Sequence, residues 1–167
     1  MEIRSANSSD ARSIAAIYNH FVRTSVVTFE EEELPEVEMA SRIEMVEASG
    51  LPWYVVIDGH TFIGYAYATP WKDRSAYRYS VEITIYLAPR FSGKGIGTAL
   101  YGEFIPALRR RKIHSVLAGI ALPNPSSIAL HERFGFSKVA HLMQVGFKMN
   151  GWIDVGYWLL IFENASL

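Results

Sequence analysis

SVEITIYLAPRFSGKGIG, Ser80 to Gly97, reads as a strand that runs through a glycine-rich turn into a helix. The strand half alternates. A pleat sets Ser80, Glu82, Thr84 and Tyr86 on one face and Val81, Ile83, Ile85 and Leu87 on the other. The second set is a core face. The first is a polar row headed by a carboxylate, and the β-rich runs on either side place the strand in the middle of a sheet. A charge buried there is costly unless it is paired or used, and burial raises a carboxyl pKa, which makes a better base near neutral pH. An edge strand with Glu82 merely solvated accounts for the same pattern, so both readings stand at this level.

The turn half places Gly93, Gly95 and Gly97 directly before the helix, although each glycine costs conformational entropy on folding. A helix N-terminus offers free N–H groups and partial positive charge, and a loop without Cβ atoms lets its backbone approach a phosphate. The spacing is neither GxxxxGK[ST] nor GxGxxG, which excludes a P-loop and a dinucleotide fingerprint. A tight turn with nothing bound is the alternative.

Outward from this stretch, the N-terminal side begins with a short strand, EIRSA. Two helices follow, one carrying Ile14, Ile17, Tyr18 and Phe21 and the other a stripe of Val37, Ala40, Ile43 and Val46, with a short β-prone run, VVTF (26–29), between them. WYVVID and TFIGYAYATPW are strands joined at Asp58-Gly59, a hairpin signal. On the C-terminal side the helix covers about residues 96–111, with Pro106 expected to kink or shorten it. HSVLAGIAL is a strand, NPSSIALHERFGF a capped short helix, and two strands surround a loop near Asn150-Gly151. The order β, two helices, three strands, α, β, α, two strands predicts an α/β (α+β) fold, a mixed sheet with helices packed on its faces, in a single domain over 1–167.

The 167 residues are 50% hydrophobic with a net charge of −1, which argues against disorder and gives no basic excess for nucleic acid. The basic run Arg109 to Lys112 reads as a helix C-terminus on a solvated face. Without cysteine there is no disulfide and no thiol nucleophile. The five histidines show no metal-ligand spacing, and no signal pattern or membrane-length apolar run is present, so a cytoplasmic protein without a metal is expected.

SGKGIG (92–97) resembles the acetyl-coenzyme A signature (Q/R)xxGx(G/A) of the GNAT acetyltransferase superfamily, and NPSSIALHERFGF (124–136) resembles its NxxSxxLYxxxGF segment. PWKDRSAYRYSVEITIY, LPNPSSIALHERFGF and GWIDVGYW are similar to the phosphinothricin acetyltransferase branch, which includes acetyltransferases for methionine sulfone and methionine sulfoximine. Ser92 departs from the usual Gln or Arg, and His131 from the superfamily's Tyr, the latter as in the phosphinothricin branch.

The resemblance implies a GNAT fold, with six or seven strands splayed at the centre and about four helices. It also implies acetyl-CoA as co-substrate. The pyrophosphate would sit on the loop Ser92, Gly93, Lys94, Gly95, Ile96, Gly97 and Thr98, and the pantetheine arm along Tyr86, Leu87 and Ala88. Asn124 and Ser127 would contact the arm or hold the loop, and Asn124 is equally a good N-cap. Glu82 would be the general base for direct attack by an amine, with a backbone N–H near Leu87 for the oxyanion and His131 as donor of a proton or a hydrogen bond to the departing thiolate. The implied acceptor is a small amino acid with an oxygen-bearing sulfur or phosphorus side chain. Lys72, Arg74 and Arg78 are candidates for its carboxylate, and Phe29 and Thr84 for its pocket. A homodimer is implied. Protein or peptide N-acetylation and a non-catalytic acyl-CoA binding domain are the competing readings.

Overall fold

The computed structural model describes residues 1–163. Its strands are β1 (Glu2–Ser5), β2 (Trp53–Asp58), β3 (Thr61–Pro70), β4 (Ser80–Leu87), β5 (Ser115–Leu122), β6 (Ser137–Lys148) and β7 (Gly151–Ile161). The helices are α1 (Ala11–Thr24), α2 (Glu36–Ala48), α3 (Ile96–Arg110) and α4 (Pro125–Arg133). The strands form one mixed sheet of seven in the order β1-β2-β3-β4-β5-β7-β6. β4 is therefore central, and the edge-strand reading of Glu82 falls.

The two middle strands decide the shape. β4 pairs with β3 from Pro70↔Val81 to Gly64↔Leu87, and β5 pairs with β7 from Ser115↔Ile161 to Leu122↔Asp154. Yet β4 and β5, the sheet's one parallel pair, are joined only at Ser80↔Ser115, Val81↔Val116 and Glu82↔Leu117. Past Glu82 they part, leaving backbone N–H and C=O groups along the facing edges that the sheet itself does not pair. A parallel pair needs a crossover, and α3 supplies it.

Alternation along the strands feeds a core on each face. α1 and α2 bury Ile14, Ile17, Tyr18, Met39, Ile43 and Val46 against Trp53, Val55 and Tyr65. On the other face α3 buries Leu100, Tyr101, Phe104 and Leu108 against Val56, Val81, Ile83 and Val116, with Ile128 and Leu130 of α4 packed alongside. Neighbouring Val55 and Val56 thus serve opposite cores, as a period of two requires.

Three local expectations change. In α2 the buried stripe is Met39, Ile43 and Val46, and Val37 is 76% exposed, because the i, i+4, i+7 row meets the sheet and position 37 lies off it. VVTF is loop: no strand neighbours it, and side chains hold it instead, with Tyr18 Oη 2.7 Å from Thr28 Oγ1 and Lys148 Nζ donating to Thr28 O at 2.8 Å. Pro106 neither ends nor shortens α3, because Pro106 and Gly102, whose carbonyl it leaves free, are both solvent-exposed while Phe104, Ile105 and Leu108 anchor the helix. The basic run does close α3, with Arg111 donating to Gly50 O and Ala107 O.

Candidate active site

The splay is lined as a cleft. A cavity of about 620 Å³ lies between Ile83–Leu87 of β4 and Gly119–Ala121 of β5. Ser92, Gly93, Gly95, Gly97 and Thr98 line its end, and Asn124, Ser127, Leu130 and His131 of the α4 region its side. Gly93 and Gly95 have φ of +75° and +78°, the left-handed region that disfavours side chains, and so turn the chain sharply into α3. Gly97 has another reason, since a Cβ there would stand 3.1 Å from Leu130 Cδ2, where α3 approaches α4. No side chain caps the first turn of α3, so its amides face the cleft unsatisfied by protein. The α4 end differs: Asn124 Oδ1 caps it by accepting from Ser127 N at 3.2 Å. A free helix N-terminus at one end and an unpaired strand edge along the side suit an elongated ligand with an anionic head and an amide-bearing arm.

Glu82 stands where the β4–β5 ladder ends. Burial pushes its carboxyl above the ordinary range, against the Lys72 charge and the Gly119 N–H, which act the other way. Gly119 leaves room for it; a Cβ at 119 would sit 3.0 Å from Glu82 Oε1 and 3.3 Å from Tyr157 Cε1. Glu82 also lines a second cavity of about 330 Å³, walled by Val27, Phe29, Leu142, Val145, Val155 and Tyr157. Gly119 and Ala121 border both cavities, so a carboxylate with a raised pKa stands at their junction.

Comparison with known proteins agrees with this geometry. Residues 3–156 match the family model described as an acetyltransferase (GNAT) domain. The chain belongs to the GNAT acetyltransferase family. It is 37% identical over 163 residues to the phosphinothricin N-acetyltransferase of Streptomyces viridochromogenes, covering 98% of this chain and 88% of that one. It is 32% identical to the L-methionine sulfoximine/L-methionine sulfone acetyltransferase of Salmonella typhimurium, covering 99% and 97%. Among solved structures, the GNAT superfamily phosphinothricin acetyltransferase of Sinorhizobium meliloti in complex with AcCoA superposes with a TM-score of 0.94 at 37% identity, covering 99% of this chain and 90% of that one. The protein is thus an acetyl-CoA-dependent acetyltransferase, and acetyl-CoA is its co-substrate.

Within this GNAT scaffold the expected site residues divide. The 620 Å³ cleft gathers Thr84, Tyr86, Leu87, Ser92, Gly93, Gly95, Gly97, Thr98, Asn124, Ser127 and His131. Ala88, Lys94 and Ile96 do not line it: Ala88 N donates to Ile63 O, Lys94 lies over the Phe91 ring, and Ile96 packs on the core. Tyr86 has a packing role as well, edge-on to Tyr18 at 5.5 Å with its hydroxyl toward Val27 O. Phe29 walls the smaller cavity. Lys72, Arg74 and Arg78 are exposed and line neither cavity; Lys72 is the one whose charge is felt at Glu82, whereas Arg78 lies over the Tyr79 ring and donates to Ser75 O.

His131 is 3% exposed, and both ring nitrogens have partners. Nδ1 is 2.7 Å from Ser127 O, so it carries the proton, and Nε2 accepts from Tyr101 Oη at 2.9 Å. Burial pushes its pKa down, against the Ser127 contact, so the ring is neutral. Sequence reading missed Gly119, Val145, Val155 and Tyr157. The alternation of β7 puts Val155 and Tyr157 on one face, but nothing in the chain order says that this face meets Glu82.

Proposed function

We propose that this enzyme transfers the acetyl group of acetyl-CoA to the α-amine of a small amino acid of the phosphinothricin, methionine sulfoximine or methionine sulfone type, with Glu82 as general base. The position of Glu82 carries the reading: it is the one titratable side chain that borders the smaller cavity besides Tyr157, and it stands where that cavity meets the cleft. The names of the relatives supply the acceptor type.

Acetyl-CoA supplies an activated thioester. The amides at the start of α3 and of Gly93 and Gly95 hold its pyrophosphate, and the free edge of β4 pairs with its pantetheine arm. The acceptor enters as an ammonium ion, attracted to Glu82, and Glu82 takes one proton from it directly or through one water. The amine then attacks the thioester carbon without an acyl-enzyme intermediate, and a backbone N–H near Leu87 receives the oxyanion. As the C–S bond breaks, nitrogen loses its second proton. One of the two protons ends on sulfur and one is released. His131, neutral, offers the sulfur a hydrogen bond from the Nδ1–H it shares with Ser127 rather than the proton of an imidazolium. Lys72 stays outside the cavity, and its charge, felt at Glu82, draws in the acceptor carboxylate, with Arg74 and Arg78 on the same loop.

The same reading includes a homodimer. β6 and β7 expose Val139, Met143, Phe147 and Trp152, with the rings of Phe147 and Trp152 5.0 Å apart, apolar surface of the kind that a second copy covers. Sedimentation at micromolar concentration tests this part, with a monomer as the contrary outcome.

The deciding experiment follows thiol release from acetyl-CoA with methionine sulfone, methionine sulfoximine, phosphinothricin, methionine, glutamate and a short peptide as acceptors. Release with the first three alone is expected. Release with the peptide alone moves the function to protein acetylation. No release from a chain that still binds acetyl-CoA removes the acceptor assignment.

A further inference from the structure

The pairing of β6 with β7 is interrupted beside the smaller cavity. Leu142 pairs with Val155 and Gly146 with Ile153, so β6 advances four residues where β7 advances two. Met143, Gln144 and Val145 form the bulge, and a single β7 residue, Asp154, lies opposite. Both carboxylate oxygens of Asp154 are used there. Oδ1 accepts the backbone N–H of Gln144 at 2.8 Å, and Oδ2 lies 2.7 Å from Nε2 of His141. Gln144 has φ of +52°, a left-handed conformation that disfavours any residue with a Cβ, and its amide is the one Asp154 holds.

The partners of His141 form a consistent chain. Lys138 Nζ stands 3.2 Å from Nδ1, and an ammonium can only donate. Nδ1 therefore accepts, and the ring proton sits on Nε2, where it is donated to Asp154. Lys138, His141 and Asp154 thus clip the start of the bulge to β7. The hydrogen bonds to Asp154 also hold its carboxyl below the usual range.

The clip matters because of what the bulge carries. Leu142 and Val145, at its two ends, are wall residues of the smaller cavity. Gly146, the next residue, is the seat of Phe29, since a Cβ at 146 would collide with that ring. One irregular segment therefore places three apolar walls of the cavity. A regular β6 would turn alternate residues of this stretch to the other face.

We infer that Asp154 and His141 are positioning residues for the acceptor. They touch neither cavity, but they hold the β6 bulge so that Leu142, Val145 and the Phe29 seat close around the acceptor side chain. This rests on the reading of the smaller cavity as the acceptor site, and its test separates the two.

The test compares Asp154→Ala, Asp154→Asn and His141→Ala with wild type by acceptor and acetyl-CoA kinetics and by amide hydrogen exchange at residues 142–146. Asp154→Ala is expected to raise the acceptor KM by roughly tenfold, with kcat changed less and the acetyl-CoA KM within about twofold. The Gln144 amide should exchange faster. Asp154→Asn keeps an oxygen for the Gln144 N–H and should recover most of the acceptor KM, and His141→Ala should fall between. An unchanged acceptor KM in Asp154→Ala, or equal losses for both substrates, overturns the inference. If wild type acetylates none of the amino acids, the acceptor reading has failed. Unchanged exchange at Gln144 would then overturn the clip as well, whereas faster exchange would leave it standing as a holder of the bulge.

Discussion

The two cavities that meet at Glu82 are made of different materials. The larger is made of backbone: a parted strand edge, an uncapped helix start and a turn that needs φ values only glycine adopts easily. Most of its parts fall in two stretches, Ile83–Thr98 and Gly119–Arg133, with Phe21 and Val27 beside them. The smaller is made of side chains from the Val27–Phe29 loop, β4, β5, β6 and β7. A backbone site recognises what every acetyl-CoA-dependent member shares, whereas a side-chain site can be re-walled residue by residue. The first should respond to changes in backbone conformation, the second to changes in side-chain size and charge.

Glu82 at the junction gives the largest expected effect. Glu82→Gln should lower kcat by about a hundredfold to ten-thousandfold, with acetyl-CoA affinity within about twofold of wild type by calorimetry. A large affinity loss would assign Glu82 to the cleft and break the comparison. The wild-type rate should fall as pH drops through the Glu82 pKa, which burial places above the usual carboxyl range, and the variant should lack that limb. The stability sign is the reverse. A carboxyl whose pKa is raised by folding favours the folded state while protonated and loses that contribution as pH rises through the raised value. Glu82→Gln should therefore gain stability relative to wild type between acid and neutral pH, as read by denaturant unfolding.

Next comes the turn. Gly95→Ala forces a Cβ into φ of +78°, which costs about 1–2 kcal/mol. The acetyl-CoA KM should rise by roughly tenfold through the displaced amides while the acceptor KM holds, in steady-state kinetics with both substrates varied. An equal rise in both would mean that the cavities are not separable. Lys72→Ala should do the opposite at smaller scale, raising the acceptor KM by about threefold to tenfold and leaving acetyl-CoA unaffected. Weakening at higher salt would sharpen the assignment, because an exposed charge is screened.

The smallest effect belongs to the floor beneath the cleft. Tyr101→Phe leaves Nε2 of the buried His131 without its donor and should cost about 1–3 kcal/mol in thermal or denaturant unfolding. If His131 only offers a hydrogen bond through Nδ1, kcat should stay within about twofold.

The contrast between the cavities also explains what could be read in the chain. Glycine spacing, strand alternation and the Asn124 cap are local, so a single stretch of sequence carries them. The acceptor cavity is assembled from residues far apart in sequence. Val145 and Val155 look like ordinary strand residues until β6 and β7 pair with a bulge, and Gly119 looks like a weak point in a strand until Glu82 arrives beside it. Phe29 was legible only through family likeness, and its seat at Gly146 was not legible at all. The stripe in α2 was misplaced for a related reason: helical period marks several possible faces, and contact with the sheet selects one.

By itself the sequence determined the order of elements, the alternation that puts Glu82 on a polar strand face and the turn into α3, and its motifs carried the resemblance to the GNAT family. The order, the alternation and the turn depend on dihedral preferences and on periods of two and 3.6, which act over a few residues, whereas the family follows from motif likeness. Only the tertiary structure decided that β4 and β5 stop pairing at Glu82, that the ring of His131 is held neutral between Tyr101 and Ser127, and that the loop cations remain outside both cavities. Pairing register and burial are properties of elements brought together. Their energies belong to contacts between residues far apart in sequence, such as Lys148 Nζ and Thr28 O, 120 positions apart.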